Sequence, residues 1–191
     1  SIMVGALAEA GAEAIGANAT FARVASYYHD IGRMKRPLFF VENQKGGKNP
    51  HNTIKPSLSA LIITSHTRDG YIIGKQNKLP KEILDIILEH HGTTLVQFFY
   101  KALEKGEEVL ESDFRYSGPK PKTKESSIIF LADTIEAAVR ASEDKSREGI
   151  ENLIRYLIRY KIDDNQLSNS ILTLGEIEKV IRAFLNVLQG A

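Results

Sequence analysis

Apolar residues recur along this chain mostly at intervals of three and four, and strict alternation is scarce, so the pattern predicts helices almost from end to end. An Ala-rich stretch, 2–16, keeps Val4, Leu7, Ala8 and Ile15 in phase until Gly16-Ala17-Asn18 breaks it. A second helix over 19–31 carries Phe21, Val24 and Tyr28 and closes at Gly32. Residues 33–56 hold three of the six prolines together with GGKN, which reads as a long loop with short helical turns. Pro56-Ser57 opens a helix to about 67 with Leu58, Leu61, Ile62 and Ser65 on one face, and a related helix covers 69–77. Pro80 starts 80–91, where Ile83, Ile86, Ile87 and His90 form one stripe before Gly92. Helix 93–105, a charged loop 106–122 and a helix 123–143 with Ile128, Leu131, Ala132, Ile135 and Ala138 in phase follow. The C-terminal part reads as helix 146–161, the polar break DDNQLSNS, and helix 174–189, which Thr173 and Glu176 begin as a capping box. The expected fold is all-α, a compact multi-helix bundle forming one domain over 1–191.

Composition narrows the possibilities. With 42% hydrophobic residues the chain can bury a sizeable core. A net charge of +1 gives no global field to gather a DNA or RNA polymer or an anionic membrane, so any phosphate binding must be local. There is no Cys, which removes disulfides, thiolate metal sites and cysteine nucleophiles together and suits a reducing compartment. Apolar runs such as SLSALII fall far short of the roughly 20 residues that cross a bilayer. The sequence opens inside a helical pattern, as expected of part of a longer polypeptide.

Histidine placement carries the chemistry. His29-Asp30 in YYHDIGR, His66, and the pair His90-His91 account for four of the five histidines. Consecutive helical positions point about 100° apart, so adjacent side chains address one centre only near a helix end. Both pairs lie beside a terminating glycine, Gly32 and Gly92. His66 flanks the apolar stripe of its helix, His90 continues another, and Asp133 interrupts the apolar run IIFLADTIEAA, where an unpaired carboxylate would be costly to bury. Imidazole and carboxylate are ligands for divalent Mn, Fe, Co, Ni or Zn. Such a set exceeds what one four-coordinate ion needs and matches a two-metal hydrolytic centre.

These residues resemble the HD-domain phosphohydrolases, whose signature is His…His-Asp…Asp on helices. More narrowly, ENQKGGKNPHNTIKPSLSALIITSH, HHGTTLVQFFY and FRYSGPKPKTKE are similar to the HD domain of bacterial seven-transmembrane HD proteins, and the resemblance covers essentially the whole chain. It implies a metal-dependent phosphodiesterase that opens cyclic di-AMP to the linear dinucleotide pApA with a metal-activated hydroxide. His29, Asp30, His66, His90, His91 and Asp133 would be the metal ligands, Asp30 bridging two divalent transition-metal ions, Fe or Mn. An earlier histidine of the family pattern would fall just before Ser1. The domain would lie at the cytoplasmic face of the membrane, attached only through the rest of the polypeptide.

His29, Asp30 and Arg33 are the expected catalytic residues, and Arg33, Lys35, Asn49 and His51 the expected contacts to the cyclic dinucleotide. Arg33 stands where most relatives carry Lys. Its planar fork suits phosphate, while an equally ready reading makes it a cation offsetting a helix C-terminus. Lys48, Arg115, Lys120 and Lys122 add positive charge nearby, and Tyr27, Tyr28, Phe39, Phe40 and Tyr116 are candidate adenine platforms or simply core. Two other readings stay open: another HD phosphohydrolase, acting on a nucleotide monophosphate, a deoxynucleotide triphosphate or an alarmone, and a sensor that binds without turnover.

Overall fold

Four helices begin on side-chain caps, of which the last is legible in the sequence. Asn18 accepts from the Phe21 N–H at 3.0 Å, Thr123 from Ser126 at 3.1 Å and Ser146 from Gly149 at 3.0 Å. Thr173 and Glu176 cap each other reciprocally, at 3.1 Å both ways. The structure, a computed structural model, describes residues 1–44 and 46–190. Among them the α-helices are α1 (Ile2–Ala14), α2 (Ala19–Tyr28), α3 (Pro56–Gln76), α4 (Lys81–Glu89), α5 (Phe98–Glu104), α6 (Lys124–Ala141), α7 (Arg147–Asp163) and α8 (Leu174–Gly190). Short 3-10 helices fill much of the rest, and the extended pairing among the described residues is one antiparallel bridge, Leu95 with Arg115. The all-α expectation holds. None of the described helices is long and apolar enough to cross a membrane.

The chain divides into two compact units, residues 1–29 with 120–191, and residues 30–119. In the first, α1 packs on α2, α6 and α8, and α7 packs on α6 and α8. Leu7, Ala8 and Ala12 of α1, Ile128, Leu131 and Ile135 of α6, Ile154 of α7 and Phe184 of α8 are buried. A Cβ on Gly11 would stand 2.9 Å from the Phe184 ring and 3.1 Å from Ile128, so glycine there lets the α8 aromatic close on α1. In the second unit α3 is the spine. The 3-10 helix Ile31–Lys35, α4, α5 and the 3-10 helix Glu111–Phe114 all pack on it. A small core of Ala60, Val96, Phe98, Ala102, Phe114 and Tyr116 lies within that unit.

Several sequence expectations need correction. α2 stops at Tyr28 rather than continuing to 31, and a 3-10 turn takes over at Ile31. The helices expected over 56–67 and 69–77 are one, because Gly70 serves a close approach and not a break. The expected 93–105 helix begins at Phe98, since 94–96 pair with 114–116. The stripe on α3 points outward: Leu58 is 45% and Leu61 63% exposed, while Ser59, Ala60, His66, Thr67 and Gly70 are buried. On α2, likewise, Val24 and Tyr28 are exposed and Ala22, Ala25 and Ser26 are inside.

Phe184→Ala should empty a fully enclosed site and lower the unfolding free energy by about 3–5 kcal/mol. Urea melts of the two proteins would measure it, and a loss under about 1 kcal/mol would contradict the packing described.

Candidate metal centre

Glycine sets where Asp30 lies. A Cβ on Gly32 would fall 1.8 Å from the His66 carbonyl oxygen and 2.5 Å from the Gly70 nitrogen, so only glycine lets the Ile31–Lys35 turn lie directly on α3. Gly70 is crowded in turn: its Cβ would stand 2.8 Å from Ile87 of α4. Asp69, buried on α3, fastens the far end of the turn through Lys35 at 2.7 Å and Arg36 at 3.2 Å. At the end of α4, His90 caps the helix and Gly92 turns the chain away at φ 54°, donating to the Glu89 carbonyl at 2.8 Å. The adjacent rings of His90 and His91 can therefore share one region, with centroids 4.2 Å apart.

In the unit of residues 30–119, Asp30, His66, His90 and His91 each offer a ligand atom, and these atoms all lie within 4.8 Å of one another. Asp30 Oδ1 stands 3.3 Å from both His66 Nε2 and His90 Nε2, and those two nitrogens are 3.1 Å apart. His66 and His90 are almost wholly buried. Their other ring nitrogens meet backbone carbonyls three residues back, Ile63 at 2.6 Å and Ile87 at 2.7 Å. A carbonyl cannot donate, so Nδ1 carries the hydrogen and each neutral ring turns its Nε2 lone pair inward. Two lone pairs and a carboxylate oxygen then face one another at 3.1–3.3 Å, a repulsive arrangement that a cation at their focus reverses. Burial, followed by the neighbouring His90 and His66 rings, holds the His91 imidazole well below its ordinary pKa, which favours the neutral, ligating form.

In the other unit, His29 repeats the device. Its Nδ1 donates to the Ser26 carbonyl at 2.5 Å, and its Nε2 faces Asp133 Oδ1 at 3.4 Å. His29 is 1% exposed. An imidazole lone pair opposed to a carboxylate again calls for positive charge. His29 and Asp30 are neighbours in the chain, one belonging to each set. All the donors are imidazole nitrogen or carboxylate oxygen, a set that suits a divalent transition-metal ion and offers nothing soft.

The residues expected to meet substrate are all engaged with protein. Arg33 Nε lies 2.9 Å from Asp30 Oδ1, its Nη1 meets Glu42, and the guanidinium sits 5.0 Å over the Phe40 ring. Lys35 is held by Asp69. His51 donates from Nε2 to the Phe39 carbonyl at 2.8 Å and accepts the Ser59 hydroxyl at Nδ1, 2.9 Å away. Asn49 accepts from the His51 N–H at 3.0 Å and from Gln44 at 3.4 Å. Arg115 donates to the Thr93 carbonyl and reaches Glu111, and Lys120 reaches Ser168. Among the aromatics, Phe40 and Tyr116 both stand edge-on to His66, Tyr116 stacks on His91, and Phe39 stands edge-on to His51.

Sequence reasoning missed Asp69 and Gly32 as determinants of this site. For Asp69 the available signal was a lone acid three residues past His66, with Lys35-Arg36 uncompensated in the preceding loop.

A family model described as "HD domain" matches residues 1–138. The chain is 48% identical over all 191 residues to a Bacillus subtilis protein named cyclic-di-AMP phosphodiesterase PgpH, and 47% identical to the Listeria monocytogenes protein of the same name. It spans 27% of the length of each. The crystal structure of the L. monocytogenes PgpH HD domain is similar at a TM-score of 0.93 and 46% identity, covering 99% of this chain and 89% of that one. The same domain in complex with cyclic-di-AMP gives a TM-score of 0.95.

Gly32→Ala should drive a methyl group into the His66 carbonyl, destabilise the fold by about 1–3 kcal/mol and separate Asp30 from His66. Paired urea melts and Mn²⁺ titrations would register both effects. Unchanged metal affinity in the variant would show that the glycine crossing does not set Asp30.

Proposed function

The chain belongs to the HD-domain family, and from that premise we propose that it is a metal-dependent phosphodiesterase that hydrolyses cyclic di-AMP to pApA. The observation that carries the reading is the convergence of inward-facing imidazole lone pairs on Asp30, in a chain whose whole length is similar to a domain solved with cyclic-di-AMP. In this proposal Asp30, His66, His90 and His91 hold one divalent ion and His29 with Asp133 a second. The ligand chemistry suits Fe or Mn. Such ions, when bound, supply Lewis acidity and an activated water for attack on phosphorus.

The chain's own residues have separate tasks. The backbone carbonyls of Ser26, Ile63 and Ile87 take the Nδ1 hydrogen of three ligands and leave Nε2 as the nitrogen available to a metal. Arg33 brings permanent charge beside Asp30, where it can offset charge on a phosphate by exchanging its bond to the exposed Glu42. Lys35 would reach substrate by a similar exchange with Asp69. Asn49 and His51 contribute by shaping the loop that faces substrate, since Asn49 caps the Pro50–Asn52 turn and His51 ties Phe39 to Ser59. The domain would work at the cytoplasmic face of the membrane, within a longer membrane polypeptide.

Purified protein with Mn²⁺ should convert cyclic di-AMP to pApA, with slower turnover of other cyclic dinucleotides. His29→Ala should lower the rate by at least about tenfold, the scale seen for loss of even an outer-shell partner. Hydrolysis of nucleoside triphosphates or alarmones in place of the cyclic dinucleotide would redirect the assignment to another HD phosphohydrolase. Tight binding without product would make the domain a sensor.

Metal content measured by elemental analysis should approach about two ions per chain. Mn²⁺ at about a hundred times its Kd should add about 2.7 kcal/mol to the unfolding free energy, and a chelator should remove it. A value near one ion per chain would favour a mononuclear nucleotidase.

A further inference from the structure

Tyr116 is 8% exposed, and its ring is spent on the histidines. It stacks on His91 with centroids 4.4 Å apart and planes 22° apart, and stands perpendicular to His66 at 5.8 Å and 89°. Adenine cannot use the face that His91 covers. The backbone around it is registered with the same turn that carries the histidine pair: Tyr116 N–H donates to the Thr94 carbonyl at 3.0 Å, and Val96 N–H to the Phe114 carbonyl at 2.8 Å. Thr94 in turn gives both its N–H, at 3.1 Å, and its hydroxyl, at 2.8 Å, to the His91 carbonyl. Arg115 adds a guanidinium bond to the Thr93 carbonyl at 2.8 Å. A closed circuit results, running from the His91 main chain through Thr94 to Tyr116 and back through the stacked rings to the His91 imidazole.

We infer that Tyr116 is a positioning residue for the metal centre, fixing the ring planes of His91 and His66 so that both direct nitrogen at one ion. The inference rests on the metal reading above. His66 has its Nδ1 bonded to a backbone carbonyl, which fixes tautomer and one contact but leaves the ring free to rock about that bond; the Tyr116 edge limits that rocking. For His91 the flat face of Tyr116 fixes the plane, and the His90 ring, tilted 45° at 4.2 Å, supports it from another side. What this requires of position 116 is a flat ring.

The test is a Co²⁺ titration of purified protein, followed by calorimetry and by the visible d–d absorption, which reports ligand geometry independently of turnover. Tyr116→Leu should bind Co²⁺ about tenfold more weakly with an altered spectrum, whereas Tyr116→Phe should stay within about twofold of the parent. Phe114→Leu, a core change in the same strand-like segment, serves as the packing control and should leave affinity per folded molecule unchanged. If the leucine variant does not fold, Tyr116→Met, which fills similar space without a flat ring, carries the same comparison. Parental affinity and spectrum in the leucine or methionine variant would overturn the inference. So would an equal loss in the phenylalanine variant or in the Phe114 control. Failure of the parent protein to take up Co²⁺ would instead remove the metal reading on which it stands.

Discussion

A backbone carbonyl three residues back holds the Nδ1 hydrogen of His29, of His66 and of His90, and the chemistry of the site depends on what that leaves over. A neutral imidazole has one hydrogen to give and one lone pair to offer. Once the hydrogen is committed to the helix, the lone pair must point the other way, and in all three cases it points towards a carboxylate. Water could satisfy such groups on a surface, but His66 and His90 are buried. Positive charge makes the arrangement favourable; Arg33 brings some to Asp30, and a divalent ion would bring it to the imidazoles as well.

Holding those lone pairs together is the work of small residues. The Ile31–Lys35 turn approaches α3 so closely that a single methyl at Gly32 would overlap the His66 carbonyl, and Gly70 opens α3 to Ile87 of α4 in the same way. The turn and α3 thus meet backbone to backbone, so main-chain geometry sets the distances between them, while α4 reaches the same spot through the Ile87 side chain. Asp69 completes the fastening with Lys35 and Arg36, a buried carboxylate with two cations, so the turn that begins at Asp30 is held at both ends.

The legible part of this molecule was what local sequence determines. Gly92 marks the turn that frees His90-His91 from the usual 100° divergence, and the Thr173–Glu176 box marks the start of α8. Gly32 signals a change of course beside His29-Asp30, although α2 already ends at Tyr28 and the glycine lies inside the following 3-10 turn. What stayed hidden depends on distant partners. Periodicity gives the relative phase of Leu58 and Leu61 but not the direction they face, and the inner side of α3 is built from serine, alanine, threonine, glycine and histidine, which a hydrophobic pattern does not register. Residues 93–97 look helical until 114–116 pair with them. His51 and Lys35 looked available in sequence because their partners, the Phe39 carbonyl, Ser59 and Asp69, carry no pattern that announces them.

The carbonyl tethers have a consequence for the residues that carry them. They are main-chain atoms, present whatever side chain stands at 26, 63 or 87, so the side chains there are left to pack, as Ile87 does on Gly70, without also having to aim the neighbouring imidazole. Ligand direction is in this sense inherited from helical geometry.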